Sequence, residues 1–216
     1  MIKGVIFDLD GVLVSTDELH YRAWKHLADE LGIKEFTHQD NQEQKGVSRM
    51  ESLEVVLKKG TRIYTEAEKV ALAERKNSYY VELLQSLSEE AVLSGVVLTL
   101  LSLRDRGVLI GIGSVSKNTP LILKRTGLLG YIDQISCGLD ITRSKPDPEV
   151  FLVAAKKLGL REKECLVVED SAVGIVAAKA AGMRSIGVGP EYQGLGADYA
   201  VPGFQSDIDW DRLLNC

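Results

Sequence analysis

The sequence predicts an α/β fold: a Rossmann-like, doubly wound parallel sheet core with an inserted α-helical cap domain. Three observations predict it. From about residue 92 onward, short apolar runs alternate with helical apolar stripes, the pattern of parallel strands joined by crossover helices. The N-terminal run Val5-Ile6-Phe7 reads as a strand of the same kind. The segment after it, from about Asp17 to Ser88, is mostly helical and more polar. A sheet that begins, pauses and resumes implies that the helical block is an insertion. The core is therefore expected at residues 1–15 and 92–216 and the cap at 16–91, with hinges near 14–17 and 88–93.

A first strand covers about residues 2–7. Tyr21, Trp24, Leu27, Ala28 and Leu31 recur at helical spacing, and Gly32 is placed to end that helix. Met50, Leu53 and Leu57 give a second stripe that stops at Gly60. Thr65 and Glu68 form a capping-box pattern for a long helix reaching about Ser86. In the core, Val97, Leu100, Leu101 and Arg104 predict a helix ending at Gly107, followed by a strand over 108–112. Pro120 opens a helix to Thr126. A short strand comes next at 132–136, then a helix opened by Pro148 and ended by Gly159. Residues 165–168 read as a strand, 171–181 as a helix ending before Gly182, 185–188 as a strand and 198–201 as an edge strand.

With 216 residues and 45% hydrophobic composition, the chain can bury a sizeable core. A net charge of -5 and 6% aromatics argue against a nucleic-acid partner. No apolar run approaches membrane length, so no membrane partner is expected. The N-terminus enters a strand without a signal-peptide pattern, so the expected location is cytoplasmic. The odd count and wide spacing of Cys137, Cys165 and Cys216 fit neither a disulfide framework nor a zinc site. Cys165 reads as a buried small hydrophobe.

The chemistry begins at Phe7-Asp8-Leu9-Asp10-Gly11-Val12. In an extended chain, positions i and i+2 face the same side, which sets Asp8 and Asp10 roughly 7 Å apart. At an effective dielectric of about 20, two like charges at that distance repel by about 2.4 kcal/mol. That repulsion raises one pKa or recruits a cation. The alternative is an ordinary Asp/Gly turn. Ligands in open α/β sheets collect at the carboxyl ends of the strands. Ser114, Ser116, Lys117 and Asn118 come after one strand, Glu169 and Asp170 after another, and Lys145 lies in Arg143-Ser-Lys-Pro-Asp-Pro148.

This ordered set resembles the haloacid dehalogenase superfamily of phosphoryl-transfer enzymes. Asp8-Leu-Asp10 matches its first motif, Ser114 its second, Lys145 its third and Glu169-Asp170 its fourth. The helical block corresponds to that superfamily's cap. His20-Tyr-Arg-Ala-Trp24, Lys45-Gly-Val-Ser-Arg49, Arg75-Lys-Asn77 and Ser114-Val-Ser-Lys-Asn118 extend the resemblance to the phosphosugar-mutase branch. The resemblance implies an isomerase that converts β-glucose 1-phosphate to glucose 6-phosphate through an aspartyl phosphate and a 1,6-bisphosphate. It implies catalytic residues Asp8 (nucleophile), Asp10 (acid/base), Ser114, Lys145 and His20. The implied substrate contacts are Trp24, Lys45, Gly46, Val47, Arg49, Lys76, Ser116, Lys117 and Asn118. The implied cofactor is Mg²⁺, held by Asp8, Asp10 through its backbone carbonyl, Glu169 and Asp170. The implied partners are a phosphosugar and a bisphosphate primer, and the chain is expected to be a monomer. A sugar-phosphate phosphatase and a non-catalytic phospholigand-binding module are the alternatives.

Ser15 stands where the family commonly has an acid, Gln44 where an apolar residue is expected, and Gly111-Ile-Gly113 departs from the usual small-residue pattern. Simpler structural readings stand beside the functional ones. Ser171 and Asn118 or Thr119 can cap helices, His20 and Trp24 can belong to the cap core, and Arg49, Lys76 and Lys145 can be solvated charges. Gly187-Val-Gly189, Gly194-Leu-Gly196 and Gly111-Ile-Gly113 do not make a dinucleotide fingerprint and are assigned to loops and close packing.

Overall fold

Four buried residues without one polar side chain make β1 (Gly4–Phe7), as a strand covered on both faces of a parallel sheet requires. The computed structural model describes residues 1–206 and 208–215, so Cys216 lies outside the described residues. Five further strands join β1: β2 (Leu109–Gly113), β3 (Gln134–Ser136), β4 (Cys165–Glu169), β5 (Arg184–Val188) and β6 (Tyr199–Val201). All pairings are parallel, in the order β3-β2-β1-β4-β5-β6. The order reverses direction at β1, so the crevice beyond the carboxyl ends of β1, β2 and β4 is the natural ligand position.

The sheet's helices are α5 (Val96–Asp105), α6 (Thr119–Arg125), α7 (Glu149–Leu158), α8 (Ala172–Ala180) and α9 (Trp210–Asn215), which come after the inserted helices α1–α4 in chain order. The period-2 alternation of the strands sorts them. Ile6 and Val167 pack with Phe151 and Ala154 of α7 and Ala177 of α8. Val5, Phe7, Leu166 and Val168 belong to the opposite cluster, with Leu100 of α5, Ile122 of α6 and Leu213 of α9. The glycines of β2 serve this packing: a Cβ on Gly113 would lie 2.6 Å from Phe151 Cδ1 and one on Gly111 2.9 Å from Leu158 Cδ1. Cys165 is buried as predicted, and burial pushes its thiol up to about 12.

Between β1 and α5 lie α1 (Asp17–Glu30), α2 (His38–Gln42), α3 (Arg49–Leu57) and α4 (Glu66–Leu83). They bury their own cluster around Trp24, Leu27, Phe36, Leu53, Val56 and Leu72. Capping boxes start three of them: Thr37 with Asp40, Ser48 with Glu51, and Thr65 with Glu68. The two chain crossings run side by side, because Ser15 N donates to Ala91 O and Leu93 N to Leu13 O. Among the described residues, no helix is long and apolar enough to cross a membrane.

The structure departs from the sequence expectation at several boundaries. β1 starts at Gly4, not at residue 2. The long helix ends at Leu83 and tightens into a 3₁₀ turn over Leu84–Ser86. The expected strand at 132–136 is paired only from Gln134, after a 3₁₀ turn at Leu128–Tyr131. Pro120 is the second residue of α6, and Pro148 is the N-cap of α7 rather than its first residue. The short helices α2 and α9 are additions.

Candidate active site

Parallel pairing of Phe7 with Ile112 and Val168 delivers Asp8 to the middle of the sheet's carboxyl edge. The strand ends there, with Asp8 N donating to Val168 O at 2.9 Å. The chain then bends, and Asp10 to Val14 close a tight turn through Gly11 N and Val14 O at 2.8 Å. Asp8 and Asp10 therefore do not share a side by continuing an extended strand, as their i/i+2 spacing predicts. The turn brings both to the wall of one cavity of about 590 Å³. Gly11 makes the turn possible: its φ is +81°, and a Cβ there would strike Asp170 Oδ2 at 2.1 Å.

Behind Asp8 lies a sealed ionic group. Lys145 is 0% exposed and donates from Nζ to Asp8 Oδ1 and Glu169 Oε1. Glu169, also 0% exposed, accepts through Oε2 from Ser171 N and Ser171 Oγ, both at 2.8 Å. Ser171 Oγ in turn caps α8 by accepting from Gly174 N, as its capping reading predicted. Burial pushes the Asp8 carboxyl well above the usual range; Lys145 opposes this, while Glu169 and Asp170 add to it. Burial works against the Lys145 ammonium, but the two carboxylates outweigh it and hold its pKa above the ordinary lysine value.

Burial pushes Asp10 up to about 6 against the hydrogen bond that Thr16 Oγ1 donates to its Oδ1. Burial and Glu169 push Asp170 up to about 7, while Lys45, 3.4 Å from Asp170 Oδ2 and 3.2 Å from Asp17 Oδ2, opposes them. Ser114 begins a polar loop: its Oγ accepts from Ser116 N, and Ser116 Oγ accepts from Asn118 N. Asn118 does not cap α6 with its side chain. Its Nδ2 reaches across to Asn77 Oδ1 of α4 at 2.9 Å.

The inserted helices form the opposite wall. Arg49, at the start of α3, pairs with Glu74 at 2.9 Å. Lys76 is only 3% exposed, so it is no solvated charge. Its Nζ lies 3.0 Å from His20 Nδ1 and over the rings of Trp24 and Tyr80 at 4.4 and 4.7 Å. Burial and the neighbouring cations lower both His20 and Lys76 well below their ordinary values. His20 thus faces Lys76 and stacks on Tyr80 at 4.0 Å, whereas the hydrogen bond to Asp10 comes from Thr16. Trp24 is cluster core and cavity wall at once. Gly46, Val47, Ser116 and Lys117 also line the cavity. The insert is drawn down on the sheet by Lys45–Asp170, by Asn118–Asn77 and by Ser144 Oγ donating to Glu51 Oε2 at 2.7 Å.

Of the four residues expected to hold a metal, Asp8, Asp10 and Asp170 line the cavity and Glu169 does not. Among the described residues, no three His, Cys, Asp or Glu side chains stand together as a metal cluster. Both Glu169 oxygens are engaged by Lys145 and Ser171, and neither Glu169 nor Lys145 is on the cavity wall. Asp8, Asp10 and Asp170 are on it. They offer only oxygen donors, and burial keeps the Asp8 and Asp170 carboxyls reluctant to ionise without a counter-charge, which fits a hard divalent cation that keeps part of its water.

Thr16, Glu51, Asn77, Tyr80 and Gly174 do not stand out in the sequence as site residues. Gly174 leaves the most room for it: a Cβ there would lie 1.9 Å from Glu169 Oε1. Gly174→Ala should push Glu169 off Lys145 and cost about 1–3 kcal/mol in urea unfolding, with activity falling at the same time. An alanine variant as stable and active as the parent would show that the glycine is dispensable.

A parallel α/β sheet, a buried lysine behind a carboxylate at its switch point, and a helical insert over the mouth define a class of capped α/β enzyme. Residues 5–188 match the family described as haloacid dehalogenase-like hydrolase. The chain is 42% identical over 202 residues to the β-phosphoglucomutase of Bacillus subtilis, covering 93% of this chain and 89% of that one. It is 29% identical over 185 residues to a fructose-1-phosphate phosphatase of Escherichia coli, covering 86% and 95%. The crystal structure of a β-phosphoglucomutase from Clostridium difficile superposes with a TM-score of 0.92 at 36% identity, covering 99% of this chain and 97% of that one. The protein belongs to the haloacid dehalogenase-like hydrolase family and is an enzyme.

Proposed function

We propose that this enzyme is a β-phosphoglucomutase acting on β-glucose 1-phosphate, with Mg²⁺ as cofactor, and that residues 16–91 act as its cap. The observation that carries the reading is a cavity with two unlike ends. Asp8, backed by Lys145, stands at one, and the guanidinium of Arg49, paired with Glu74, stands on the insert's side. A substrate phosphorylated at both ends suits such a site, because one phosphate can react while the other is held.

In this reading Asp8 carries a phosphoryl group. The C6 hydroxyl of β-glucose 1-phosphate attacks it, giving up its proton to Asp10 and forming the 1,6-bisphosphate. The bisphosphate turns around. Asp8 then attacks the C1 phosphate, and Asp10 returns the proton to the departing O1, releasing glucose 6-phosphate. A carboxyl titrating near 6 can hold and release a proton at neutral pH. Ser114 donates to the phosphoryl group, Lys145 supports the transfer through Asp8, whose Oδ1 it holds, and Arg49 binds the other phosphate as a fork. Thr16 positions Asp10 in the present arrangement, with His20 the candidate to replace it when substrate is bound. Mg²⁺, held by Asp8, Asp170 and the Asp10 carbonyl, would supply charge neutralisation.

Asp10→Asn tests the reading. Isomerisation should drop about 10²- to 10⁴-fold, because the proton carrier is gone, while glucose 6-phosphate still binds by calorimetry. Isomerisation near the parent rate would remove Asp10 from the mechanism. Mg²⁺ removal should abolish turnover. Because Asp170 titrates near 7 and must ionise to bind metal, Mg²⁺ binding at pH 6.5 should release protons, and affinity should fall as pH drops. Calorimetry in buffers of different ionisation enthalpy measures that release; a buffer-independent heat contradicts it.

A further inference from the structure

Three buried side-chain polar atoms among the described residues have no hydrogen-bond partner: Gln44 Oε1, Tyr80 Oη and Ser136 Oγ. Gln44 and Tyr80 line the cavity. A tyrosine hydroxyl can turn its proton, and the Thr16 side chain lies beside it. An amide oxygen can only accept. Gln44 sits between α2 and α3, is 8% exposed, and donates from Nε2 to Ser52 O at 2.8 Å. That bond fixes which end is which, since flipping the amide would set Oε1 against another carbonyl oxygen. Three cationic side chains of the same cavity wall already have partners: Arg49 with Glu74, Lys76 with His20, and Lys45 with Asp17 and Asp170.

We propose that Gln44 is a specificity residue whose Oε1 accepts a hydrogen bond from a hydroxyl on the sugar part of the bound phosphosugar. The proposal rests on the phosphosugar reading of the site. The chemistry selects the hydroxyl. An ionised phosphate oxygen has no proton to give, so Gln44 reads the sugar and not the phosphates. A small turn about the last side-chain torsion, which has a broad well, presents Oε1 to the cavity while Nε2 stays on Ser52. An acceptor left unpaired in a buried wall disfavours a ligand that brings no donor, which is how a site rejects an analogue lacking one hydroxyl.

The test compares the parent with Gln44→Met, which is close in length but has no acceptor, and with Gln44→Leu as a second apolar replacement. Dissociation constants are measured by calorimetry for glucose 6-phosphate and its 2-, 3- and 4-deoxy analogues. The parent should bind one of the analogues roughly 3- to 10-fold more weakly than glucose 6-phosphate. In both variants that ratio should fall to about one, with the other ratios unchanged. Both variants should still unfold cooperatively, because an apolar side chain of similar size fills the same space, so the ratios are read on folded protein. Parent and variants sharing every ratio would overturn the hydroxyl contact alone. A parent that binds inorganic phosphate but none of the sugar phosphates would overturn the phosphosugar reading, and this proposal with it.

Discussion

Asp8→Asn should reduce turnover to background while the fold survives. The carboxylate stands at the end of β1 with Lys145 on its Oδ1, and an amide of the same shape neither attacks phosphorus nor carries the charge that Lys145 and a metal would share. On the proposed mechanism the substitution removes the whole covalent route, so the expected loss is at least about 10⁴-fold. The amide still fills the space at the sheet edge, so thermal unfolding should remain cooperative. Turnover of sugar phosphates near the parent rate in a cooperatively folded Asp8→Asn protein would remove Asp8 from its role.

Lys145→Ala should be the most damaging change to stability and activity together. The ammonium, itself fully buried, is the counter-charge for the fully buried Glu169 and for Asp8 at the cavity wall. Removing one partner of a buried ionic group costs about 3–5 kcal/mol, because the other charges remain and have lost their compensation. The sign of the change sets the pH dependence. Asp8 is already held above its unfolded value, and losing Lys145 removes what opposes that rise. The folded variant then binds more protons than the unfolded chain, so its stability falls as pH rises from about 4. Urea unfolding across pH should therefore show the smallest deficit at acid pH. Adding Glu169→Gln should recover part of the stability but none of the turnover. A Lys145→Ala protein as stable as the parent at neutral pH would contradict the buried counter-charge.

Much of this site is legible because its parts are local in sequence. Asp8 and Asp10 come after an apolar run and precede a glycine, and Glu169-Asp170 comes after another such run, so strand-end chemistry can be read one segment at a time. The capping box of α4 and the stop at Gly159 are also contained within a few residues. The features that escape the sequence depend on contacts between distant segments. Glu169 faces Lys145 and Ser171 and not the cavity, a result of the α8 cap and the packing of Lys145 over Phe151. Asn118 is drawn from its helix cap by Asn77, and Glu51 closes both its own capping box and a bridge to Ser144. Gly174 looks like an ordinary helix residue because the atom it leaves room for belongs to β4. α9 has only six residues, with Trp210, Leu213 and Leu214 buried, too short for a periodicity to stand out.

Whether the cavity runs a mutase or a phosphatase is a question of what accepts the phosphoryl group from Asp8. Lys45, Asn77 and Glu51 tie the insert to the sheet's side of the site, and an insert closed over a bound sugar phosphate would keep water from Asp8 and leave a sugar hydroxyl as the acceptor. A family relative that is a fructose-1-phosphate phosphatase shows that this fold family also includes hydrolysis. The most direct measurement is phosphorus NMR of the enzyme with Mg²⁺, β-glucose 1-phosphate and a catalytic amount of β-glucose 1,6-bisphosphate. A mutase yields glucose 6-phosphate in step with substrate loss, with the bisphosphate signal persisting and little inorganic phosphate. Inorganic phosphate accumulating in step with substrate loss, without glucose 6-phosphate, would contradict the mutase assignment.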